Sequence, residues 1–144
     1  MVNIITENLK VNRCGEVCYL TFPSFNSYDN LAHGFSTRLG GISSGDYESM
    51  NLGFNRGDDN SNVLENYKIF SKALGIDYKS LVFASQTHGD VIRDVTSFDK
   101  GKGIVKEKEY SDVDGLITNI PGISLVGLFA DCLPIFYFDP VKKV

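Results

Sequence analysis

The chain has 144 residues, 42% of them hydrophobic and 12% aromatic, enough to bury a core, so a disordered resting state is excluded. Eighteen acidic against 14 basic side chains give a formal charge of −4, the wrong balance for a face that binds nucleic acid by neutralising phosphates. Glu7 stands where a secretory signal needs an apolar run, and Asp131 and Pro134 break the most apolar stretch, Ile123 to Phe138, so neither a signal peptide nor a membrane span is expected.

No internal repeat or low-complexity tract is present. Val17 to Phe22 reads as a strand bounded by Pro23, and Leu31 to Thr37 as a second. The segment Arg38-Leu-Gly-Gly-Ile-Ser-Ser-Gly45 is a glycine- and serine-rich turn or loop whose backbone amides can face an anion. Val63, Tyr67, Phe70 and Leu74 then fall on one helical stripe that packs against a sheet. Asn60, Ser61 or Asn62 is expected to cap that helix, with Glu65 in capping-box spacing from Asn62 and Gly75 as the stop. Gly57-Asp-Asp-Asn-Ser61 reads as the capping turn, since it lacks the later ligands of a calcium loop. Beyond the helix, Leu81–Ser85, Val91–Val95, Leu116–Thr118, Ile123–Phe129 and Ile135–Phe138 are short apolar segments with strand composition. The Lys- and Glu-rich run Asp99 to Glu109 reads as an exposed, mobile loop, and Asp139-Pro140 as a turn. One helix followed by several strands predicts an α+β fold, with mixed β-sheets flanked by helices and all 144 residues in a single domain.

Two polar residues stand at the ends of apolar segments. His88 follows Leu81-Val-Phe-Ala within Ser-Gln-Thr-His-Gly, and Cys132 follows Ile123–Phe129 within Ala-Asp-Cys-Leu-Pro. A strand end presents a side chain to a cleft from a rigid support, and imidazole with thiolate is the donor pair zinc prefers. Spacing alone leaves the alternative open, because a single buried cysteine is usually a small hydrophobe and one distant His–Cys pair matches no zinc-finger pattern. His33, Cys14 and Cys18 read as structural. Three cysteines in no paired framework indicate a reducing compartment, and the expected location is the cytoplasm. The chain has no GxGxxG after a strand, no P-loop and no GxSxG elbow.

Taken in order, several blocks resemble the laccase-domain family, also known as multicopper polyphenol oxidoreductases and regarded as purine nucleoside phosphorylases. They are His33-Gly-Phe-Ser-Thr-Arg-Leu-Gly-Gly41, Tyr47-Glu-Ser-Met-Asn-Leu-Gly53, Gly57-Asp-Asp59, Glu65-Asn66, Gln86-Thr-His-Gly89, Asp114-Gly-Leu-Ile-Thr118, Pro121-Gly122 and Ala130-Asp-Cys-Leu-Pro134. The resemblance implies zinc bound by two histidines and one cysteine. The family's Gln-x-His-Gly histidine matches His88 and its Ala-Asp-Cys cysteine matches Cys132. The third ligand belongs to a His-Ala-Gly-Trp-Arg-Gly block after the Asp-Pro turn. This chain has no such block and no tryptophan, so it is expected to be the N-terminal part of a larger laccase-like domain. Val113 stands where the family usually has alanine.

The implied activity is cleavage of adenosine, inosine, guanosine and methylthioadenosine by inorganic phosphate, with adenosine deamination beside it. Zinc-activated water attacking purine C6 suits the deamination. Arg38 with the amides of Gly40 and Gly41 is the candidate phosphate element, by charge-assisted and backbone hydrogen bonds; the other reading has Arg38 tying the loop to a carboxylate. Asn51, Gln86 and Asp131 are candidates for orienting the reacting groups. Copper with phenol oxidation is the competing enzyme reading. The non-catalytic one is a structural fragment or binding module that pairs with a separate C-terminal piece; a homo-oligomer is the other partner expected.

Overall fold

The computed structural model describes residues 8–144, which form two compact units, one ending at Asp77 and one running from Tyr78 to Val144. The mixed α/β character expected from the segment order is present, as small sheets with few helices. Among the described residues no helix is long and apolar enough to cross a membrane.

In the first unit β1 (Lys10–Cys14), β2 (Val17–Thr21) and β3 (Phe35–Ser36) form an antiparallel sheet in that order. Gly15, at φ 58°, and Glu16 connect β1 to β2, a two-residue hairpin loop that needs a left-handed residue. β1 had no signature in the sequence because it is exposed on both faces, and its Lys10 and Arg13 suit an edge strand. β3 is far shorter than the expected Leu31–Thr37 strand; only Tyr19↔Ser36 and Leu20↔Phe35 pair. A helical turn, α1 (Pro23–Asn26), follows β2.

Helix α2 (Asn60–Ala73) lies where the apolar stripe placed it. Its cap is a correction: Asp59, not Asn60, Ser61 or Asn62, takes the Ser61 amide on its side chain, three residues earlier than the Asn62–Glu65 capping-box spacing implied. Gly75, at φ 71°, ends the helix. Its amide bonds the Lys72 carbonyl and the Ile76 amide bonds that of Ser71, the Schellman arrangement. Val63 and Tyr67 are buried, as are the polar Asn66 and Ser71; each buried apolar side chain of this size contributes about 1.5–3 kcal/mol. Tyr19 of β2 meets Phe70 edge-on at 6.2 Å, and Phe54 stacks on Tyr67 at 5.5 Å.

The second unit holds two parallel pairs, β4 (Leu81–Phe83) with β7 (Ser124–Val126) and β5 (Ile92–Asp94) with β6 (Gly115–Ile117). β4 is buried along its whole length, and Val95 and Val113 complete this core. Residues 99–109 form a loop in which Lys100, Val105, Lys106, Glu107 and Glu109 are exposed as expected, but its start is anchored inside. Asp99 is only 2% exposed and closes a short 3-10 turn (Ser97–Asp99) through a capping box with Thr96. It pairs with Arg93 at 2.7 Å and Lys102 at 3.0 Å, and Lys102 reaches Glu109 at 2.6 Å. The charge run is ordered by its own opposite charges.

The strand expected at Ile135–Phe138 does not form, and residues 135–138 carry no regular structure. A strand exists only where a neighbour takes its amides and carbonyls, and an apolar run does not by itself supply one; Ile135 is 65% and Tyr137 87% exposed. The turn that follows does form, with the Asp139 carboxylate accepting the amides of Val141 and Lys142.

Candidate active site

Parallel pairing puts like ends of strands together. Register pairs Phe83 with Val126, and the Ala84 amide continues the ladder to the Val126 carbonyl. The chain therefore leaves β4 toward His88 and β7 toward Cys132 from the same carboxyl edge, where open α/β sheets place their ligands. Gln86 joins the two departing segments: its Oε1 accepts the Leu128 amide at 2.8 Å.

The backbone from Phe83 to Gly89 is held at almost every residue. The Tyr110 hydroxyl donates to the Phe83 carbonyl at 2.6 Å and Lys108 Nζ to that of Ala84 at 2.7 Å. Burial lowers the pKa of that lysine. Ser85 exchanges both backbone bonds with Val113. Asp114 Oδ1 accepts the amides of Thr87 at 3.1 Å and His88 at 2.8 Å, and Oδ2 that of Gly89 at 3.0 Å. Burial pushes the Asp114 carboxyl up, but the amides of Thr87, Gly89 and His88 outweigh it and hold the group below the usual carboxylate range. His88 sits at φ 64°, a left-handed conformation that non-glycine residues rarely adopt. Its ring is exposed and makes no hydrogen bond to the described residues. Cys132 is a free, exposed thiol next to the exposed Asp131.

The Arg38 element is in the first unit. Arg38 Nε donates to the Glu48 carbonyl and Nη2 to that of Asp46 at 2.7 Å. The guanidinium thus ties the loop to carbonyls rather than to a carboxylate. The Gly41 amide donates to Ser49 Oγ at 3.1 Å. A Cβ on Gly40 would come within 2.4 Å of Val17 Cα, and one on Gly41 within 2.2 Å of the Ser49 carbonyl, so both glycines permit close backbone approach. Asn51 Nδ2 donates to Asp58 at 2.9 Å and its Oδ1 accepts the Gly53 amide. Hydrogen bonds from Ser43 and Asn51 hold the Asp58 carboxyl below its ordinary range. Buried Asn66 closes the network, accepting the Ile42 amide and donating to Ser43 Oγ and the Asn51 carbonyl.

Asp114 carries no functional signal of its own in the sequence. Its partners lie 25–27 residues upstream, a separation that no local periodicity reports.

Residues 32–144 match the family model described as multi-copper polyphenol oxidoreductase laccase. The chain belongs to that family. It is 38% identical over 115 residues to the purine nucleoside phosphorylase YlmD of Bacillus subtilis, covering 77% of this chain and 40% of that one. A purine nucleoside phosphorylase of Streptomyces coelicolor is 39% identical over 116 residues, 80% of this chain and 46% of its own length. This laccase-family chain thus spans less than half of either relative. In structure it is similar to the Bacillus licheniformis protein YfiH, with a TM-score of 0.78 at 35% identity over 85% of this chain and 45% of that one. The relatives' names make this an enzyme family. Among the described residues of this laccase-family member no three His, Cys, Asp or Glu side chains group as a metal site.

Proposed function

We propose that this chain carries two of the three protein ligands of a zinc-dependent purine nucleoside phosphorylase, His88 and Cys132. The observation that supports it is the delivery of a free imidazole and a free thiol from the same edge of one parallel strand pair. The donor set fits zinc in kind, one nitrogen and one sulfur, and a catalytic site needs one donor more. Zinc held there supplies Lewis acidity.

The chain's own residues do the rest. Asp114 fixes the backbone from which His88 projects, Gln86 ties that segment to Leu128 on the way to Cys132, and Asp131 flanks the thiol. Arg38, held in one plane by its two carbonyl bonds, offers its remaining guanidinium donors beside Gly40 and Gly41 as the anchor for inorganic phosphate. Asn51 stiffens that loop through Asp58. The substrates are purine nucleosides, with adenosine deamination as a second activity of the same site.

The test is release of base from adenosine in the presence and absence of phosphate, using the chain continued through a His-Ala-Gly-Trp-Arg-Gly block. Phosphate-dependent release that falls at least about a hundredfold in His88→Ala and Cys132→Ala is the expected result. Full activity in both variants would remove the assignment. Phenol oxidation dependent on added copper would replace it with the copper reading.

A further inference from the structure

We infer that Asp114 is the positioning residue of this site: its carboxylate sets the left-handed backbone at His88 and thereby aims the imidazole for metal binding. The inference rests on the reading of His88 as a metal donor. Successive amides of an extended chain point to opposite sides, so three consecutive N–H groups reach one acceptor only through a nest-like turn. Thr87, His88 and Gly89 do this, at 2.8–3.2 Å from the two Asp114 oxygens, with Thr87 Oγ1 a further donor at 3.4 Å. The anion in this nest is the chain's own side chain.

The residue at the left-handed position is histidine, although glycine is adjacent at Gly89. A non-glycine residue stays at positive φ only where its surroundings over-determine it, and here the carboxylate does so. Asp114 is itself fixed from behind: its amide and that of Gly115 both donate to the Val91 carbonyl, at 3.0 and 3.1 Å, which locks the start of β6 beside the chain leaving the His88 turn. Both carboxylate oxygens are occupied by these amides, so Asp114 acts through His88 and is not itself a ligand.

The test uses the full chain, wild type against Asp114→Asn, with Thr118→Val as a control that removes a hydroxyl bond to the Val95 carbonyl in the same unit. Asparagine keeps the size but turns an N–H group toward amides that need an acceptor. Amide hydrogen exchange at residues 87–89 is expected to accelerate at least about tenfold in Asp114→Asn and the His88 HN–Hα coupling to change. Cobalt(II) affinity, read from thiolate–cobalt absorption, is expected to fall about 10- to 100-fold. Thr118→Val should leave all three readouts at wild-type values. Unchanged exchange at 87–89 in Asp114→Asn overturns the inference. So does faster exchange with unchanged cobalt affinity, provided His88→Ala abolishes binding. Indistinguishable cobalt uptake by wild type and His88→Ala overturns instead the assignment of His88 as a donor, and Asp114's part in a metal site with it.

Discussion

Two regions of this molecule are rich in polar residues, and they use them in opposite ways. In the loop from Arg38 to Asp58 side chains are consumed by the fold: Asn66, Asn51, Ser43 and Asp58 satisfy one another and the backbone. At the end of β4 the backbone is consumed instead. Tyr110, Lys108, Gln86 and Asp114 bind main-chain groups of residues 83–89 and 128, and the side chains of His88 and Cys132 are left exposed. Spent side chains mark a structural element, whereas a clamped backbone with unspent side chains is the arrangement a preorganised site requires.

Substitutions can break or sharpen this contrast. The largest effect is expected at Asn66, which is fully buried. Asn66→Ala leaves the Ile42 amide and the Asn51 carbonyl without their partner, at about 3 kcal/mol, measured by denaturant unfolding. A loss below about 1 kcal/mol would mean the first loop is not held by its polar network.

Asp99→Asn comes next, at about 2 kcal/mol, because it leaves Arg93 and Lys102 without their buried counter-charge. Burial opposes ionisation of Asp99, but bonds from Thr96, Arg93 and Lys102 outweigh it and hold its carboxyl well below the usual range. The unfolded group titrates near about 3.9, so the ionised form stabilises the fold fully above that value and the contribution is lost as pH falls below it. The acid limb of the wild-type stability curve should therefore flatten in Asp99→Asn.

Arg38→Ala should cost about 1 kcal/mol through its two carbonyl bonds. If Arg38 also anchors phosphate, KM for phosphate rises well beyond what a loosened loop produces. A stability loss with unchanged KM leaves the residue wholly on the structural side of the comparison.

The smallest effect concerns His33, whose Nε2 accepts the Phe22 amide at 2.8 Å. Burial lowers its pKa, so the fold favours the neutral ring. That contribution is complete above the unfolded value near about 6.5 and lost as pH falls through the lower folded value. A mild drop in melting temperature over that window, absent in His33→Gln, is the expected sign.

How much was legible follows from where each interaction lies along the chain. Helix α2 was readable because Val63, Tyr67 and Phe70 repeat at helical spacing, and Gly75 because a left-handed stop has a residue preference. The cap was misplaced by one to three residues because Asn60, Ser61 and Asn62 are all residue types that cap as well as Asp59 does, and only the bond from the Ser61 amide to Asp59 distinguishes them. β1 was invisible because it buries neither face. The loop at 99–109 was legible from its composition, but its anchor was not, because nothing local shows that Asp99 is buried among Arg93, Thr96 and Lys102. At the candidate site His88 and Cys132 could be singled out by residue type and by the resemblance. The parallel pairing that brings their strands together, and the carboxylate that shapes the His88 turn, are contacts between distant residues that the local pattern does not encode.

The central claim is that His88 and Cys132 act together as donors. Its most direct test is zinc per chain, by elemental analysis after exhaustive dialysis, for the chain continued through the third-histidine block. The account predicts about one zinc per chain, lost in both His88→Ala and Cys132→Ala and retained in Arg38→Ala. Full zinc in either His88→Ala or Cys132→Ala would contradict it.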